Sequence, residues 1–210
     1  MSVKSGTATE FPREESADRC LSSGKFGCCP RFEFRGRLVE ISACAAGAPL
    51  TAAFRLVLEA QRAGEPAAWI GRRGFPFFPP DVAEAGVDLA ALPVVWAPDA
   101  RAAAGAADLL VRSGGFGFVA VDLGPDPHLP LAAVARLAAL ARQHGATLVL
   151  ITQKEPSRPS LGALVSLRAH TERLTRVRDR YRFEARVLKD KRGRPAGRLA
   201  EICRGPDGLH

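Results

Sequence analysis

Residues 117–153 read GFVAVDLGPDPHLPLAAVARLAALARQHGATLVLITQ, and this stretch decides the fold class. Residues 117–122 form an apolar run that ends in a carboxylate, and residues 147–152 form a second apolar run, so both predict buried strands. Between them, residues 129–144 have the length of a helix, which stops at Gly145. Such a strand, helix, strand unit predicts parallel strands joined by a crossover helix.

The same alternation extends toward the amino terminus. Apolar runs predict further strands at residues 38–42, 67–70 and 92–96. The predicted helices are one that begins with Thr51 as N-cap and stops at Gly64, a short helical turn at 82–85, and an Ala-rich helix over 99–113 with Asp99 near its N-terminus. The sequence therefore predicts an α/β fold with a mostly parallel twisted sheet flanked by helices.

The pattern changes in the last quarter of the chain. Residues 161–170 fit either a short helix or an extended segment. Residues 180–189 alternate between apolar and charged side chains, which is the period of a half-exposed strand. A turn is predicted over 191–197, and an apolar run returns at 199–203. We therefore expect the sheet to end in an antiparallel hairpin.

The chain divides into three predicted segments. Residues 1–30 are polar without a sustained period and are expected to form a flexible or loosely docked leader. Residues 31–204 form the core domain, and residues 205–210 form a tail. The most hydrophobic stretch, residues 129–151, is interrupted by charges such as Arg136, so no membrane span is predicted.

The cysteine pattern indicates the compartment. Five cysteines make an odd number, which does not suit a disulfide framework and favours a reducing, cytoplasmic environment. The adjacent pair Cys28 and Cys29 lacks the two-residue spacing of a zinc knuckle. We expect no metal site.

The net charge is concentrated near the carboxyl terminus. Residues 1–150 hold 15 Lys and Arg and 15 Asp and Glu, whereas residues 151–210 hold the other 15 basic residues against 7 acidic ones. The whole excess of +8 therefore lies in the second segment. It predicts a polyanionic partner, and a solvated basic face is the alternative. The candidate DNA contacts are Arg168, Arg173, Arg176, Arg178, Arg180 and Arg182.

Ligands of open α/β sheets bind at the carboxyl ends of the strands. A P-loop there needs glycines, a Lys for the phosphates and a hydroxyl for magnesium. Of these, only Gly47 is present, because Ala48 stands at the Lys position and Pro49 at the hydroxyl position. Asp122 fits either a magnesium ligand or a helix-capping residue. The candidate nucleotide positions, which we expect to be degenerate and without a cofactor, are Gly47, Ala48, Pro49, Thr51, Asp122 and Gln153.

Several of these stretches resemble the RecA core, and more closely the RecA-like ImuA proteins of bacterial SOS mutagenesis. Residues 36–41 (GRLVEI) are similar to the RecA approach to its P-loop, and residues 86–92 (GVDLAAL) are similar to its next segment. Gln153 falls where RecA keeps the glutamine that couples nucleotide state to its DNA loop. Residues 186–191 (RVLKDK) resemble the RecA terminal hairpin, which carries lysines near a neighbouring subunit's ATP. The resemblance spans about residues 20–204.

The resemblance implies an accessory role in translesion synthesis. The family's catalytic Glu would fall near Arg73, and no carboxylate stands there, so the protein is expected not to be an enzyme. The implied partners are single-stranded DNA, RecA, an ImuB-type Y-family polymerase homologue and an error-prone replicative-type polymerase. The alternatives are a weak nucleotide-binding ATPase that uses Asp122, and a purely structural adaptor.

A second set of residues is predicted to contact protein partners. An aromatic loop follows the second strand, and such a loop more often packs in the core than stacks on bases. It could equally be a surface that docks a protein partner. Basic residues flank the predicted turn of the hairpin, and they could equally be solvated charges. The candidate partner contacts are Phe75, Phe77, Phe78, Lys189, Lys191 and Arg192.

Overall fold

The structure, a computed structural model, describes residues 34–44, 47–74, 77–177, 180–192 and 198–204. The predicted leader over 1–30 and the tail over 205–210 lie outside these residues. Two candidate site residues, Phe75 and Arg178, also lie outside them.

Eight strands and four helices form the described fold. The strands are β1 (Leu38–Ala43), β2 (Ala67–Arg72), β3 (Val94–Ala97), β4 (Phe118–Pro125), β5 (Thr147–Gln153), β6 (Leu167–Val177), β7 (Arg180–Asp190) and β8 (Arg198–Arg204). The helices are α1 (Pro49–Arg62), α2 (Pro79–Glu84), α3 (Ala100–Arg112) and α4 (Leu131–His144). None of the described helices is long and apolar enough to cross a membrane.

The strands form one sheet in the order β3-β2-β4-β5-β1-β6-β7-β8. Strands β1 to β6 pair in parallel, and β7 and β8 are added antiparallel. The predicted α/β class, the mostly parallel sheet and the terminal hairpin are therefore confirmed. Of the two alternatives for residues 161–170, the extended one applies from Leu167 onward.

Each face of the sheet carries its own apolar core. Successive residues of a strand point to opposite faces, and β1 accordingly sends Leu38 into one core and Val39 into the other. Helices α3 and α4 cover the first face, where they pack against strand residues such as Val121 of β4. Helix α1 covers the second face, where Trp69 is fully buried. The continuous apolar runs of the central strands follow from burial on both sides.

The helix ends show where local sequence signals hold. Asp99 lies at the N-terminus of α3, as predicted, and its side chain caps the helix by accepting a hydrogen bond from the Ala102 amide at 2.7 Å. Gly145 ends α4 in the left-handed conformation, with φ of 64°. The prediction of Thr51 as N-cap is wrong, because α1 already begins at Pro49 and Ala48 is its N-cap. Proline is well suited to the first helical turn, where its missing N–H leaves no helical bond unmade.

Candidate functional site

The carboxyl ends of the parallel strands bring together two of the predicted sites. Strands β1, β4 and β5 end at this edge with Ala43, Pro125 and Gln153 in register. Since β6 is parallel to β1 and β7 runs back from it, the end of β6 and the start of β7 lie at the same edge. The degenerate P-loop positions and the hairpin arginines therefore share this surface, which we call the carboxyl edge.

The position of a P-loop is occupied by a closely packed turn. Ala48 is buried, and Pro49, as the first residue of α1, presents no amide hydrogen. A Cβ at Gly47 would lie 2.4 Å from the Ala43 Cβ and 2.7 Å from the Thr171 carbonyl oxygen. Packing against β1 and β6 therefore accounts for this glycine without a phosphate. No cationic side chain stands at the Lys position, because that residue is Ala48.

Asp122 lies at the carboxyl edge and is nearly buried. Its carboxylate accepts a hydrogen bond from the Gly124 amide at 3.0 Å. Burial raises the pKa of Asp122, while that hydrogen bond and the nearby Arg72 guanidinium act against the rise. Arg72 itself donates to the Leu123 carbonyl at 2.8 Å. Asp122 thus stabilises the end of β4, where the pairing with β5 is irregular between Asp122 and Pro125. Gln153, which pairs with Pro125, is exposed.

Thr51 serves a structural contact at the same edge. It lies within the first turn of α1, and its hydroxyl is 3.0 Å from the Tyr181 hydroxyl of β7. This bond ties the amino end of α1 to the hairpin. Thr51 is therefore engaged with the protein itself.

A buried ionic group, which sequence reasoning did not find, lies beneath the segment that follows β5. The Glu40 carboxylate is fully buried and accepts hydrogen bonds from the Thr152 hydroxyl at 3.2 Å and the Leu161 amide at 3.0 Å. The Lys154 ammonium lies 2.5 Å from its Oε1 atom. Burial lowers the pKa of Lys154, and Glu40 opposes that shift. A charged residue inside the apolar run of residues 38–42 was the available signal.

Arg168 is an internal residue, which corrects its prediction as a DNA contact. Only 4% of it is exposed. Its guanidinium donates to the Ser42 hydroxyl at 3.3 Å, to the Glu155 carbonyl at 3.0 Å and to the Arg158 carbonyl. Burial lowers the pKa of Arg168, and Glu40 opposes this. The Arg168 guanidinium therefore attaches the segment after β5 to the sheet. Because it is buried, it is not accessible to the phosphates of DNA.

The other hairpin arginines are divided between the two faces of the sheet. Arg173 pairs with Phe183, which is buried on the α1 side, and the Arg173 guanidinium carbon lies 4.7 Å from the centre of the Tyr181 ring. Arg182 stands between Tyr181 and Phe183 in β7, so it points to the opposite face. Arg176 and Arg180 lie near the end of β6 and at the start of β7. These four positions lie at the hairpin end of the carboxyl edge, and we call them the rim of arginines.

The basic residues predicted as partner contacts lie at the other end of β7. The Lys189 ammonium contacts the carbonyls of Gly162 and Ala163 at 3.5 and 3.4 Å. Lys191 and Arg192 are exposed at the amino edge of the parallel strands, where the Lys191 amide donates to the Ser166 carbonyl at 2.9 Å. These residues are therefore separated from the carboxyl edge by the length of the hairpin.

The aromatic loop combines core and surface residues. Phe77 packs against Phe54, Trp69 and Trp96, with ring centres 5.7, 5.9 and 6.0 Å away. Of the alternatives for the aromatic loop, core packing therefore applies to Phe77. Phe78 differs, because 61% of it is exposed at the start of α2.

A thiol and an imidazole lie near the end of β1. The Cys44 thiol donates to the Glu155 carboxylate at 3.1 Å, and this bond raises the pKa of Cys44. The His170 Nε2 atom is 3.9 Å from the Cys44 sulfur, and burial lowers the pKa of His170. Both shifts favour the uncharged form, of the thiol at Cys44 and of the imidazole at His170. Among the described residues, no three His, Cys, Asp or Glu side chains are placed to hold a metal ion.

Comparisons with known proteins bear on the first five strands. A comparison with curated proteins finds no match. The family model of the MT3502 N-terminal domain matches residues 33–157. This range contains β1 to β5 with all four helices and ends within the segment after β5. Because the match covers more than half of the chain, the protein belongs to the MT3502 N-terminal domain family.

Proposed function

We propose that this chain is a RecA-like protein of the ImuA type, and that it acts by binding single-stranded DNA and protein partners without hydrolysing ATP. The observation that carries the proposal is the start of α1, where buried Ala48 occupies the Lys position of a P-loop and Pro49 occupies the hydroxyl position. The degenerate site lies at the carboxyl edge, where an α/β sheet binds its ligand.

The chemistry of phosphate binding supports the absence of turnover. A P-loop holds phosphates through several amide hydrogens and a charge-assisted Lys contact. This turn has lost the Lys, and proline supplies no amide. The position that the resemblance assigns to a catalytic carboxylate holds Arg73, which is exposed. Without these groups, neither tight nucleotide binding nor activation of water is expected.

The rim of arginines supports binding to a polyanion. Arg173 and Arg182 flank the carboxyl edge from the two faces of the sheet, and Arg176 and Arg180 lie between them along the chain. Phosphate contacts by such residues release counterions and do not read base sequence. The proposed DNA binding is therefore indifferent to sequence and weakens with salt.

The test measures anisotropy of a labelled single-stranded oligonucleotide over a range of salt concentrations. Arg173→Glu/Arg182→Glu should weaken binding and reduce the slope of log affinity against log salt by about 2. The control, Arg142→Glu/Lys191→Glu, changes the net charge equally at exposed residues of the amino edge. The control should change binding less than the carboxyl-edge variant does. An affinity independent of salt would reject the proposal.

A nucleotide assay separates this proposal from a residual ATPase. ATP turnover should stay at background with and without single-stranded DNA. A steady turnover that Asp122→Ala abolishes would favour the weak ATPase. The proposed protein partners are RecA, an ImuB-type Y-family polymerase homologue and an error-prone replicative-type polymerase.

A further inference from the structure

An exposed aromatic surface lies at the far end of the carboxyl edge from the arginines. It consists of Trp96 and Phe77, whose rings are in contact, and of Phe78, the next residue along the chain, which is 61% exposed; we call it the aromatic corner. Trp96 is 44% exposed, although most tryptophans in a domain of this size are largely buried. The Phe77 ring meets the Trp96 ring edge-on at 85°, with centres 6.0 Å apart. The corner therefore combines solvent-exposed rings with a packed base.

The Trp96 ring has a rigid support. A Cβ at Gly71 would come within 2.9 Å of a Trp96 ring carbon, so the absence of a side chain at residue 71 lets the ring lie against β2. Behind it, Phe54 and Trp69 stack with centres 4.2 Å apart and planes 14° apart. An aromatic ring that is fixed on one side and exposed on the other loses little conformational entropy when a planar ligand stacks on it.

The aromatic corner and the arginines lie at the same edge of the sheet. Gly71 and Trp96 stand near the carboxyl ends of β2 and β3 and face the same side of the sheet as α1. Arg173 and Tyr181 lie on that side too, beyond the amino end of α1, to which Thr51 ties Tyr181. Five strand spacings separate β3 from β6 in the sheet, roughly 24 Å in all. One single strand of nucleic acid can therefore reach both.

We propose that Trp96 is a base-stacking residue and that the ligand of the carboxyl edge is a single strand of nucleic acid with unpaired bases. The proposal rests on the proposed function, in which the arginines take the phosphates of the same strand. Exposed aromatic rings and cationic side chains along one strand's path are the combination by which proteins bind single strands without sequence preference. A paired duplex keeps its bases stacked on one another, so it gains nothing from the corner.

Intrinsic fluorescence tests the proposal directly. The chain has two tryptophans, of which Trp69 is fully buried and Trp96 is exposed. An oligothymidine should quench Trp96 emission on binding. An abasic oligomer of the same length has the phosphates but no bases, so it should bind about tenfold more weakly and leave the emission unchanged.

Variants assign the effect to the ring. Trp96→Ala should weaken oligothymidine binding about tenfold and leave binding of the abasic oligomer unaltered. Trp96→Phe keeps an aromatic face and should restore most of the affinity. The control is Leu109→Ala, which removes a similarly exposed apolar side chain, 63% exposed, from α3. It should bind both oligomers as the parent does.

The outcomes separate the inference from the proposed function. Equal, salt-dependent binding of both oligomers with unchanged emission overturns base stacking and leaves phosphate binding in place, and an aromatic corner that serves a protein partner gives this result. If neither oligomer binds, both proposals fall. Should Trp96→Ala fail to fold, the emission of the parent and the affinity of Trp96→Phe decide the question.

Discussion

The Lys154 ammonium lies 2.5 Å from the Glu40 carboxylate, and both groups are enclosed between the sheet and the segment that follows β5. Removing one charge leaves the other buried without its partner, which costs about 3 to 5 kcal/mol, whereas removing both costs much less. We therefore expect Lys154→Met to lower the free energy of unfolding strongly. Glu40→Gln/Lys154→Met should recover much of that loss in urea unfolding. Equal losses in the single and double variants would contradict the coupling.

Two glycines should respond oppositely to alanine. At Gly47 the added Cβ collides with Ala43 and with the Thr171 carbonyl, so Gly47→Ala should destabilise the fold by about 1 to 3 kcal/mol. Gly105 lies within α3 with nothing within 4 Å of an added Cβ, so Gly105→Ala should stabilise it by about 0.5 to 1 kcal/mol. Thermal melting of the two variants measures both signs. A neutral Gly47→Ala would show that the turn before α1 is not closely packed.

His170 should make stability depend on pH. Burial lowers the pKa of His170 from its ordinary value of about 6.5, although Glu172 opposes the shift. As pH falls, the unfolded chain therefore takes up this proton at a higher pH than the folded chain does. The contribution of neutral His170 to the free energy of unfolding is complete above about pH 6.5 and is lost as pH falls toward the folded pKa. His170→Gln should lose less stability than the parent between pH 7 and pH 5. Parallel curves would show that another group is responsible.

The amino edge provides a test of RecA partnership. We expect the hairpin at the amino edge to bind a RecA subunit at a filament end, while the degenerate nucleotide site prevents a further subunit from joining. An excess of this protein should then reduce RecA strand exchange. Lys191→Glu/Arg192→Glu should relieve that inhibition, because both residues are exposed. Lys189 is less suitable, since it contacts the Gly162 and Ala163 carbonyls. Undiminished strand exchange with no RecA association would leave a polymerase partner as the remaining protein role.

Local periodicity predicted most of the elements, but it left residues 161–170 open between a helix and an extended segment, and it did not predict which strands are neighbours. The apolar run of residues 117–122 identified β4, and the position of β5 between β4 and β1 emerges only from the assembled sheet. The sequence groups Arg168 with the DNA-contact arginines, because the neighbouring residues give no sign that it bonds to the Ser42 hydroxyl and the Glu155 carbonyl. The same limit hid the pairing of Glu40 with Lys154.

Arg173 and Arg182 illustrate a second limit. Their types and spacing fitted one phosphate-binding row, but strand register determines which face each residue occupies. That register shifts between Arg173 and Thr175, where the β6 and β7 ladder is irregular. A bulge of this kind changes the direction of side chains without a distinct signature in the sequence. The positions along the hairpin were therefore predictable, and their division between faces was not.

The place of β1 in the sheet bears on how this protein can be divided. The family match ends at residue 157, yet β1 pairs with β5 on one side and β6 on the other. A fragment cut at residue 157 would leave six buried residues, Leu38–Ala43, as an open edge with bare amides and carbonyls. Such an edge recruits other strands and promotes aggregation. The segment that matches the family model is thus shorter than the segment that has to be expressed to keep β1 paired on both sides.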